Sequence, residues 1–487
     1  MPTVEEELWK ALNKTRLIFP KDVHLLQPGE INWEGTDYSK CGRTDKGVSA
    51  FGQVIGIRVR SSRPSGKKKA VEAVESGEVE GLEGAKTEVN GDSGFNTQPR
   101  QRGIEISSPP LPASRESVEG TEPEVLDLND PDHEEPLSFD PIADELPYAA
   151  LLNKVLPPDI RILAWCPSPP PDFSARFSCR ERRYKYFFTQ PAFSPIPHHL
   201  EFDSSQQVKD GWLDIDAMRK AAKMYEGLHD FRNFCKVDGG KQINNFERTI
   251  LYSDIEEVDD QSGTMGYVNG SDFLPAGSQA CNPKVYTFTL HGSAFLWHQV
   301  RHMVAILFLV GQGLEKPSIV AELLDIEKTP RRPGYEMATD TPLVLWDCIF
   351  PPALEWLYVG DGPRNGDFKV GPGGLMDNVW CLWRERKIDE MLAGNLLGIL
   401  SKQGDAPAAL SLSDSGKKAR MSQKVFDGGD VPRLQGAYVP VMKKPLLESP
   451  DVINEKYALR KGFESAEDMK IQGFRRLNKT AEEIREA

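Results

Sequence analysis

Hydrophobic and polar residues alternate along several short segments of the chain, and this pattern predicts strands. Alternation with period two covers residues 55–59, 183–188 and 285–290, so each of these strands should bury one face. Residues 160–165 and 343–350 are hydrophobic runs of strand length. Because most of these strands are amphipathic, the sheet they form is expected to be mainly antiparallel.

Segments with helical periodicity lie between and after these strands. Thr3 and Glu6 form a capping-box pattern ahead of a first helix, and Asp214 is placed to cap another. Residues 151–156, 299–310 and 379–400 are also predicted helices, the second of them mostly buried. Strands interspersed with helices in this way predict an α+β fold, with a mainly antiparallel central sheet flanked by helices.

Charge is distributed unevenly, which changes what the net value means. The chain has 487 residues and a formal charge of −14. Residues 70–145 contain 20 acidic and 4 basic side chains, so the remainder of the chain carries a net charge of +2. An acidic protein would ordinarily be a poor partner for nucleic acid, but here the rest of the chain can still present a basic surface.

Composition divides the chain into four parts. Residues 61–145 are rich in Gly, Ser, Pro and Glu, and are predicted to be a disordered acidic insertion. It separates the two pieces of an N-terminal half, residues 1–60 plus 146–190, which is followed by a C-terminal half at residues 191–352. Residues 353–487 are predicted to be a partly helical C-terminal extension with a Ser-rich flexible gap.

Seven cysteines, an odd number with no CxxC pair, give neither a zinc-finger spacing nor a disulfide framework. Reduced thiols favour the nucleus or the cytoplasm. The longest apolar run, residues 303–310, is too short to span a bilayer, and the acidic N-terminus is unlike a secretory or transit peptide. No membrane partner is therefore expected.

The densest chemical signal is a loop in which two glycines bracket Arg43 and Asp45. In a turn, side chains two residues apart can converge, so a guanidinium could keep the carboxylate ionised and oriented. A carboxylate held in this way can act as a nucleophile or base. An ordinary Asx-turn would give the same pattern, because Asp-Lys-Gly is also good turn chemistry.

A basic and aromatic segment covers residues 173–186 and includes Arg176, Arg183 and Lys185. Cations interleaved with aromatic rings suit phosphate contacts together with base stacking. A solvated charged face with core tyrosines would have the same composition, so both interpretations stay open.

Two histidines and one arginine stand out on the predicted buried helix. His298 and His302 are four residues apart, but no third ligand is apparent, so core or RNA-facing histidines are favoured over a metal site. Arg301 lies on an otherwise apolar helix and needs a partner, which could also be a purely structural ion pair. No nucleotide-binding loop or esterase motif is present, so no metal or other cofactor is expected.

Taken together, these segments resemble the TruA family of tRNA pseudouridine synthases, and most closely its eukaryotic Deg-type branch, which modifies uridines 38 and 39 of tRNA. Four ordered motifs and a final strand carry the resemblance. They occupy residues 41–50 (CGRTDKGVSA), 173–186, 227–234, 299–313 and 338–350.

The resemblance implies the pseudouridine synthase fold, a cofactor-free reaction, and roles for individual residues. Asp45 would be the catalytic aspartate, Arg43 would pair with it and help displace the target nucleotide, and Tyr184 would stack on the uracil. Arg301 would support the aspartate or the RNA, while basic side chains would contact phosphates; these are Lys46, Arg176, Arg183 and Lys185. Because bacterial members are dimers, a homodimer is an expectation.

One departure from the family pattern concerns the start of the sequence. Family members usually begin with a strand ahead of the helix that starts here at Thr3. Either the gene model begins too late, or the sheet lacks an edge or central strand.

The function expected from residues and resemblance is isomerisation of uridine to pseudouridine in the anticodon stem-loop of tRNA. Two alternatives remain. The chain could be a non-catalytic tRNA-binding protein on the same scaffold, or a sister-branch synthase that acts on other uridines of tRNA or small nuclear RNA.

Overall fold

The fold is known from a computed structural model, whose chain divides into two units. One unit comprises Met1–Ser62 and Pro141–Ala487, and the other comprises Arg63–Asp140. The prediction of disorder for the insertion falls mainly on residues 65–138, which lie outside the described residues. The structure describes residues 3–21, 24, 26–27, 29–64, 139–195, 208, 210–258, 284–361, 368–403, 423–429 and 431–472.

Twelve strands occur in the described residues, and six of them form the central sheet in the order β2-β9-β5-β8-β7-β6. The strands are β1 (Ser39–Lys40), β2 (Ser49–Ala50), β3 (Ile55–Gly56), β4 (Ala164–Trp165), β5 (Glu181–Gln190), β6 (Gly227–Asp230), β7 (Glu247–Val258), β8 (Lys284–Gly292), β9 (Leu343–Ile349), β10 (Leu357–Tyr358), β11 (Gln423–Val425) and β12 (Arg433–Gln435).

Eight α-helices occur in the same residues, and two of them show the capping that the sequence predicts. The Thr3 hydroxyl accepts a hydrogen bond from the Glu6 amide, and the Asp214 carboxylate accepts one from the Ala217 amide. The helices are α1 (Val4–Lys14), α2 (Tyr148–Asn153), α3 (Ile215–Lys223), α4 (Gln299–Gly311), α5 (Ile319–Leu324), α6 (Leu375–Leu400), α7 (Pro450–Arg460) and α8 (Ala466–Ile471).

The central sheet is mixed, which corrects in part the prediction of a mainly antiparallel sheet. β5, β6, β7, β8 and β9 pair antiparallel. β2, which follows the loop containing Asp45, instead pairs parallel with β9. A two-residue strand gives almost no amphipathic signal, so the sequence could not reveal its direction. This parallel pair fixes one end of the loop against the sheet.

The main core lies between the sheet and helices α3, α4 and α5. β5 supplies Tyr186 and Phe188, which alternate as predicted, and β8 supplies Phe288 and Leu290; all four side chains are buried. All residues of α4 are buried, which confirms the mostly buried helix expected there. Continuous burial holds α4 rigidly against the sheet, and with it the polar groups at its N-terminal end.

A second apolar cluster supports the N-terminal half. Leu8 and Leu12 of α1 pack with Leu152 of α2 and with the half-buried side chains of Ile55 and Ile57. The strand predicted over residues 55–59 buries the expected face. Only Ile55–Gly56 has strand geometry, however, and it pairs with the equally short β1.

The C-terminal extension packs into the main core rather than forming an isolated tail. Phe426 is buried against the rings of Phe308 on α4 and Phe193, with ring centroids 4.9 and 5.3 Å apart. The carbonyl of Gly428 accepts hydrogen bonds from the Tyr186 hydroxyl at 2.7 Å and the Thr339 amide at 2.9 Å. The extension thus contacts the segment that joins α5 to β9.

Helix α6 differs from the other long helices in that it buries none of its residues. Apolar side chains such as Trp380, Trp383 and Leu392 are each more than half exposed. Within the described part of the chain, no helix is both long and apolar enough to cross a membrane.

The two stretches of the first unit that flank the insertion meet at Glu145. Its carboxylate accepts hydrogen bonds from the Ser61 hydroxyl and, at 2.9 Å, from the Ser62 amide. Burial alone would raise the pKa of Glu145, but these hydrogen bonds and one from the Leu146 amide lower it to about 2. The carboxylate is therefore ionised at neutral pH and holds the two ends of the insertion together.

Candidate active site

The loop at residues 41–48 carries Asp45 at the edge of the central sheet. A backbone turn closes it, because the Val48 amide donates to the Asp45 carbonyl at 3.1 Å. Gly47 has φ +86°, a conformation that favours glycine at the third position of such a turn. The turn uses the backbone of Asp45, so its carboxylate is available for other contacts.

The Asp45 carboxylate is held by the residues immediately before α4. The indole Nε1–H of Trp297 donates to Oδ1 at 3.3 Å, and His298 Nε2 lies 3.3 Å from Oδ2. Burial alone would raise the pKa of Asp45, but the hydrogen bond and charge of His298, the bond from Trp297 and the charge of Arg301 together lower it. Asp45 is therefore a half-buried carboxylate that stays ionised at neutral pH.

The predicted ion pair between Arg43 and Asp45 is absent from the structure. Arg43 is exposed, and its positive charge acts instead on Glu5 of α1, whose pKa it helps to lower. The two side chains diverge because the Asp45 carboxylate faces the start of α4. The loop thus contains an oriented, ionised aspartate, but Trp297 and His298 hold it in place of Arg43.

Tyr184 lies on β5, within the range at which the charge of Asp45 acts on its phenol. Its ring packs edge-on against Phe295, with centroids 5.0 Å apart. Burial raises the pKa of Tyr184, and the neighbouring thiols of Cys348 and Cys41 and the charge of Asp45 raise it further. The phenol is accordingly neutral at physiological pH, which suits stacking better than proton abstraction.

Arg301 projects from the first turn of α4 and is buried. Its Nε–H donates to the carbonyl of Ala338 at 2.7 Å, and its Nη1 lies 3.8 Å from Asp340 Oδ2. The structural ion pair considered for this residue is therefore present, and its charge also lowers the pKa of Asp45. Arg301 thus combines the two interpretations: it is bonded to residues 338–340, and its charge favours the ionised form of Asp45.

The two helix histidines have different environments. His298 precedes α4 with φ +60°, a left-handed conformation that is uncommon outside glycine, and this places its ring on Asp45. Burial and the charge of Arg332 lower the pKa of His302 to about 3, so that ring is a neutral core group packed edge-on against Tyr335. The core interpretation is confirmed for His302, whereas His298 belongs to the site.

Two of the predicted RNA contacts lie on the other face of the sheet. Arg183 pairs with Glu181 at 2.7 Å, and the Lys185 ammonium lies 4.7 Å from the centre of the Trp346 ring. Strand side chains alternate between faces, so both point away from Tyr184. The basic side chain on the face of Tyr184 is Arg182, which donates to the carbonyls of Cys41 and Ser293 at 2.9 and 2.6 Å.

Other cations lie close to Asp45. Lys236 and Lys241 are exposed, and their ammonium groups lie 4.7 and 5.7 Å from the centre of the Trp297 ring. A cavity of about 300 Å³ opens beside Lys236 and is lined by three further cations, namely Arg232, Arg331 and Arg332. These side chains add positive charge to the side of the molecule that carries the aspartate.

Arg176 and Phe177 form an exposed pair ahead of β5. The guanidinium of Arg176 lies 5.3 Å from the centre of the Phe177 ring, and Phe177 is 81% exposed. A large aromatic ring left in solvent beside a cation is the arrangement on which nucleic-acid bases stack. The basic and aromatic segment thus divides: Arg176 and Phe177 are exposed, while Tyr186 is buried core.

Sequence reasoning missed Trp297, Lys236 and Lys241, and it did not connect His298 with Asp45. About 250 positions separate Asp45 from Trp297 along the chain, and no local pattern records a contact at that separation. The available signal was the pair Trp297-His298 directly before a buried helix, where two polar aromatic groups need partners.

Gly47→Ala is expected to destabilise the protein. Placing alanine at φ +86° costs about 1–2 kcal/mol. In addition, the new Cβ would lie 2.7 Å from Oδ1 of Asp340, which neighbours Arg301. Thermal unfolding should show a lower midpoint than for the wild-type chain.

Gly35→Ala is the matched control, because Gly35 has φ +77° and no atom lies within 4 Å of an added Cβ. It carries the backbone strain without the contact. An unfolding midpoint for Gly47→Ala equal to that of Gly35→Ala would contradict the close approach between the loop and Asp340.

Comparison with known proteins gives a consistent result. A family model described as tRNA pseudouridine synthase matches residues 221–351. The tRNA pseudouridine(38/39) synthase of Saccharomyces cerevisiae is 33% identical over 462 residues, which cover 95% of this chain and 73% of that protein. The Bos taurus protein of the same name is 37% identical over 356 residues. A tRNA pseudouridine synthase A from Janthinobacterium is 32% identical over 184 residues, 36% of this chain and 55% of that protein.

Coverage of the mammalian relatives is less complete. The match with the Bos taurus protein covers 73% of this chain but 52% of the relative, and the Homo sapiens protein gives the same figures. The chain thus spans about half the length of these relatives.

Proposed function

Because the chain belongs to the tRNA pseudouridine synthase family, we propose that it isomerises uridine to pseudouridine in the anticodon stem-loop of tRNA. The single observation that carries this proposal is the position of Asp45. It is half-buried, its pKa is lowered, and its charge acts on the phenol of Tyr184 on β5. A flipped base and an ionised carboxylate can meet at such a site.

The reaction needs one carboxylate and no redox partner. The N1–C1′ bond of uridine breaks, the base turns, and a C5–C1′ bond forms; C5 loses a proton and N1 gains one. Asp45 is the proposed nucleophile or first base, at C1′ or at C6. Its hydrogen bonds to Trp297 and His298 favour the ionised form that starts the reaction.

Tyr184 and Arg43 are proposed to hold the flipped nucleotide. The neutral ring of Tyr184 can stack on the uracil, in keeping with its raised pKa. Arg43 is exposed beside Asp45 and makes no ion pair with it, so the guanidinium can enter the stem where the target nucleotide leaves.

The RNA backbone is proposed to lie along the basic residues on the side of Asp45. Lys46, Arg176 and Lys236 are exposed there, and Arg301 acts through Asp45 rather than on phosphate. Arg183 and Lys185, expected to contact phosphate, face the other side of the sheet and would need a second RNA segment. Binding through several phosphates should weaken steeply as salt is added.

The target positions are proposed from the relatives. The Saccharomyces cerevisiae protein is named for positions 38 and 39, and it matches this chain over most of both lengths. We infer the same two uridines here. The homodimer and the nuclear or cytoplasmic location remain predictions, which sedimentation of the purified chain and imaging of the tagged protein would test.

The direct test uses a synthetic anticodon stem-loop with uridine at positions 38 and 39. The full chain should convert both uridines without added cofactor, as read by mass spectrometry of nuclease fragments. RNAs with cytidine at 38 or 39 should each lose one product. Binding without any product would support a non-catalytic tRNA-binding protein, and conversion only at uridines outside this arm would support a sister-branch enzyme.

Replacing Trp297 should shift the pH dependence of the reaction. The indole hydrogen bond helps lower the pKa of Asp45, so Trp297→Phe should raise that pKa. As the pH is lowered, Asp45 then becomes protonated at a higher pH than in the wild-type chain. The acid limb of the kcat/KM profile therefore moves to higher pH. The measurement is the rate of pseudouridine formation across the acid range.

Trp346→Phe serves as the control, because Trp346 lies on the opposite face of the sheet, against Lys185. Its acid limb should coincide with that of the wild-type chain. An unchanged limb in Trp297→Phe would show that the indole does not set the ionisation of Asp45.

A further inference from the structure

Three cysteines that are far apart in the sequence meet at the start of the Asp45 loop, residues 41–48. The Sγ atoms of Cys41, Cys179 and Cys348 all lie within 4.8 Å of one another. The Cys41 and Cys348 sulfurs are 3.1 Å apart, which is not a bonded distance. Groups of three or more His, Cys, Asp or Glu side chains can hold a metal ion when their ligand atoms lie close together. Among the described residues, these three cysteines are the one such group.

Each thiol is carried by a different, well-fixed segment. Cys41 follows β1 and its amide donates to the carbonyl of Val54 at 2.9 Å. Cys179 lies two residues before β5, and Cys348 is part of β9. All three are buried, with exposures of 3, 8 and 7%. Such placement restricts the sulfurs to a small volume before any ligand binds, which lowers the entropic cost of binding.

The spacing of the sulfurs fits a single metal ion. A zinc–sulfur bond of about 2.3 Å in tetrahedral geometry requires sulfur atoms about 3.8 Å apart. The Cys41 and Cys348 sulfurs, 3.1 Å apart, are closer than this value, and every pair lies within 4.8 Å, so each separation needs to change by roughly 1 Å or less to hold one ion. Three protein ligands leave the fourth tetrahedral position for a water molecule, a coordination that zinc has in catalytic sites, whereas most structural sites have four protein ligands.

The charge of the surroundings also fits. Three thiolates and Zn²⁺ together carry one negative charge, and a buried charge needs a partner. Arg182 supplies it, because its guanidinium is fixed on the carbonyls of Cys41, Arg176 and Ser293 and its charge acts on the Cys41 and Cys179 thiols. A Cu⁺ ion would leave two negative charges against the same single cation.

We propose that Cys41, Cys179 and Cys348 form a structural binding site for one zinc ion. Binding replaces three S–H bonds by three Zn–S bonds and releases three protons to solvent. Thiolate ligands select zinc or Cu⁺ over harder divalent ions, and the charge balance favours zinc.

The ion would fasten the Asp45 loop to the sheet. Cys41 directly precedes Gly42 and Arg43, while Cys348 lies on the strand that pairs with β2. Bridging them fixes the loop at both ends. The importance of this loop for catalysis rests on the proposed function, whereas metal binding itself does not.

The test measures metal directly in the full chain, expressed without a polyhistidine tag. Elemental analysis of the reduced, dialysed protein after addition of ZnCl₂ should find close to one zinc per chain. Co²⁺ added in place of zinc should give thiolate-to-cobalt charge-transfer bands in the near ultraviolet, which added zinc removes. A parallel sample loaded with Cu⁺ under anaerobic conditions should compete poorly against zinc.

Cys179→Ser should lose the bound zinc and the cobalt bands. Cys235→Ser is the matched control, because Cys235 is equally buried but belongs to the main core. If Cys179→Ser fails to fold, alkylation of the wild-type chain gives a second readout: zinc should slow modification of Cys41, Cys179 and Cys348 but not of the exposed Cys381.

Several outcomes would overturn the site. These are a wild-type chain without bound zinc or cobalt bands, preferential retention of Cu⁺, or peptide mass spectra that show a Cys41–Cys348 disulfide in its place. Loss of zinc with no change in thermal midpoint would remove its structural role. A zinc-binding chain that makes no pseudouridine would leave the site standing and reject the proposed function instead.

Discussion

Asp45→Asn should abolish pseudouridine formation while leaving RNA binding intact. The amide keeps the shape of the side chain, and its oxygen can still accept the hydrogen bond from Trp297 Nε1. It cannot act as a nucleophile or as a base. Loss of a residue with either role reduces turnover by about 10²- to 10⁶-fold. Single-turnover conversion of the anticodon stem-loop, with enzyme in excess, measures the chemical step without product release.

Asp37→Asn is the control for this variant. Asp37 is exposed and pairs with the exposed Arg58 at 2.7 Å, so its loss should leave the rate within error of wild type. Gel-shift binding of the RNA should be equal for wild type and both variants. Full single-turnover activity in Asp45→Asn would remove this aspartate from the mechanism, whatever the family assignment.

Phe426→Ala should destabilise the main core by about 3–5 kcal/mol, the range for large-to-small changes at buried aromatic positions. Phe426 lies outside the segment matched by the family model, yet it is 4% exposed and packs on Phe308 of α4. The cavity left by alanine would loosen α4, whose N-terminal end carries the partners of Asp45. Urea unfolding followed by tryptophan fluorescence gives the change in free energy of unfolding.

Phe368→Ala makes the matched comparison, since Phe368 also belongs to the C-terminal extension but is 60% exposed. Its unfolding free energy should stay close to that of wild type. Equal values for the two variants would mean that the extension does not pack against α4 in solution.

The elements that could be predicted are those whose signal is local. The Thr3 hydroxyl accepts a hydrogen bond from the amide of Glu6, three residues further along the chain. The alternation of buried and half-buried side chains along β5 lies within a single strand. Helix α4 was recognised because its apolar residues are continuous. Local periodicity records which face of an element is buried, so these elements were found at nearly their observed bounds.

Strand β7 was not predicted, because its pattern is broken twice. A register shift between Ile250 and Tyr252 interrupts the alternation, and acidic residues then dominate its second half. β7 is held by its pairing with β6 and β8, and the pattern of hydrophobic and polar residues along one strand does not show which strands pair with it. The parallel pairing of β2 was hidden for the same reason.

The candidate site was predicted at the level of residues but not of contacts. The charge of Asp45 acts on Tyr184, whereas the prediction of Arg43 as the partner of Asp45 was wrong, because Trp297 and His298 take its place. The thiol cluster follows the same rule. Its members come from three separate segments, so cysteine spacing alone argued against any metal site.

The hydrogen bonds of Glu145 with Ser61 and Ser62 have a consequence for how the fold tolerates changes in the insertion. They bring the departure and return points of residues 63–144 together, so the surrounding fold is expected to depend little on how many residues lie between them. For a flexible connection, doubling the length costs only about 0.6 kcal/mol. Changes in the length of this stretch are therefore expected to cost little stability in the unit to which it is joined.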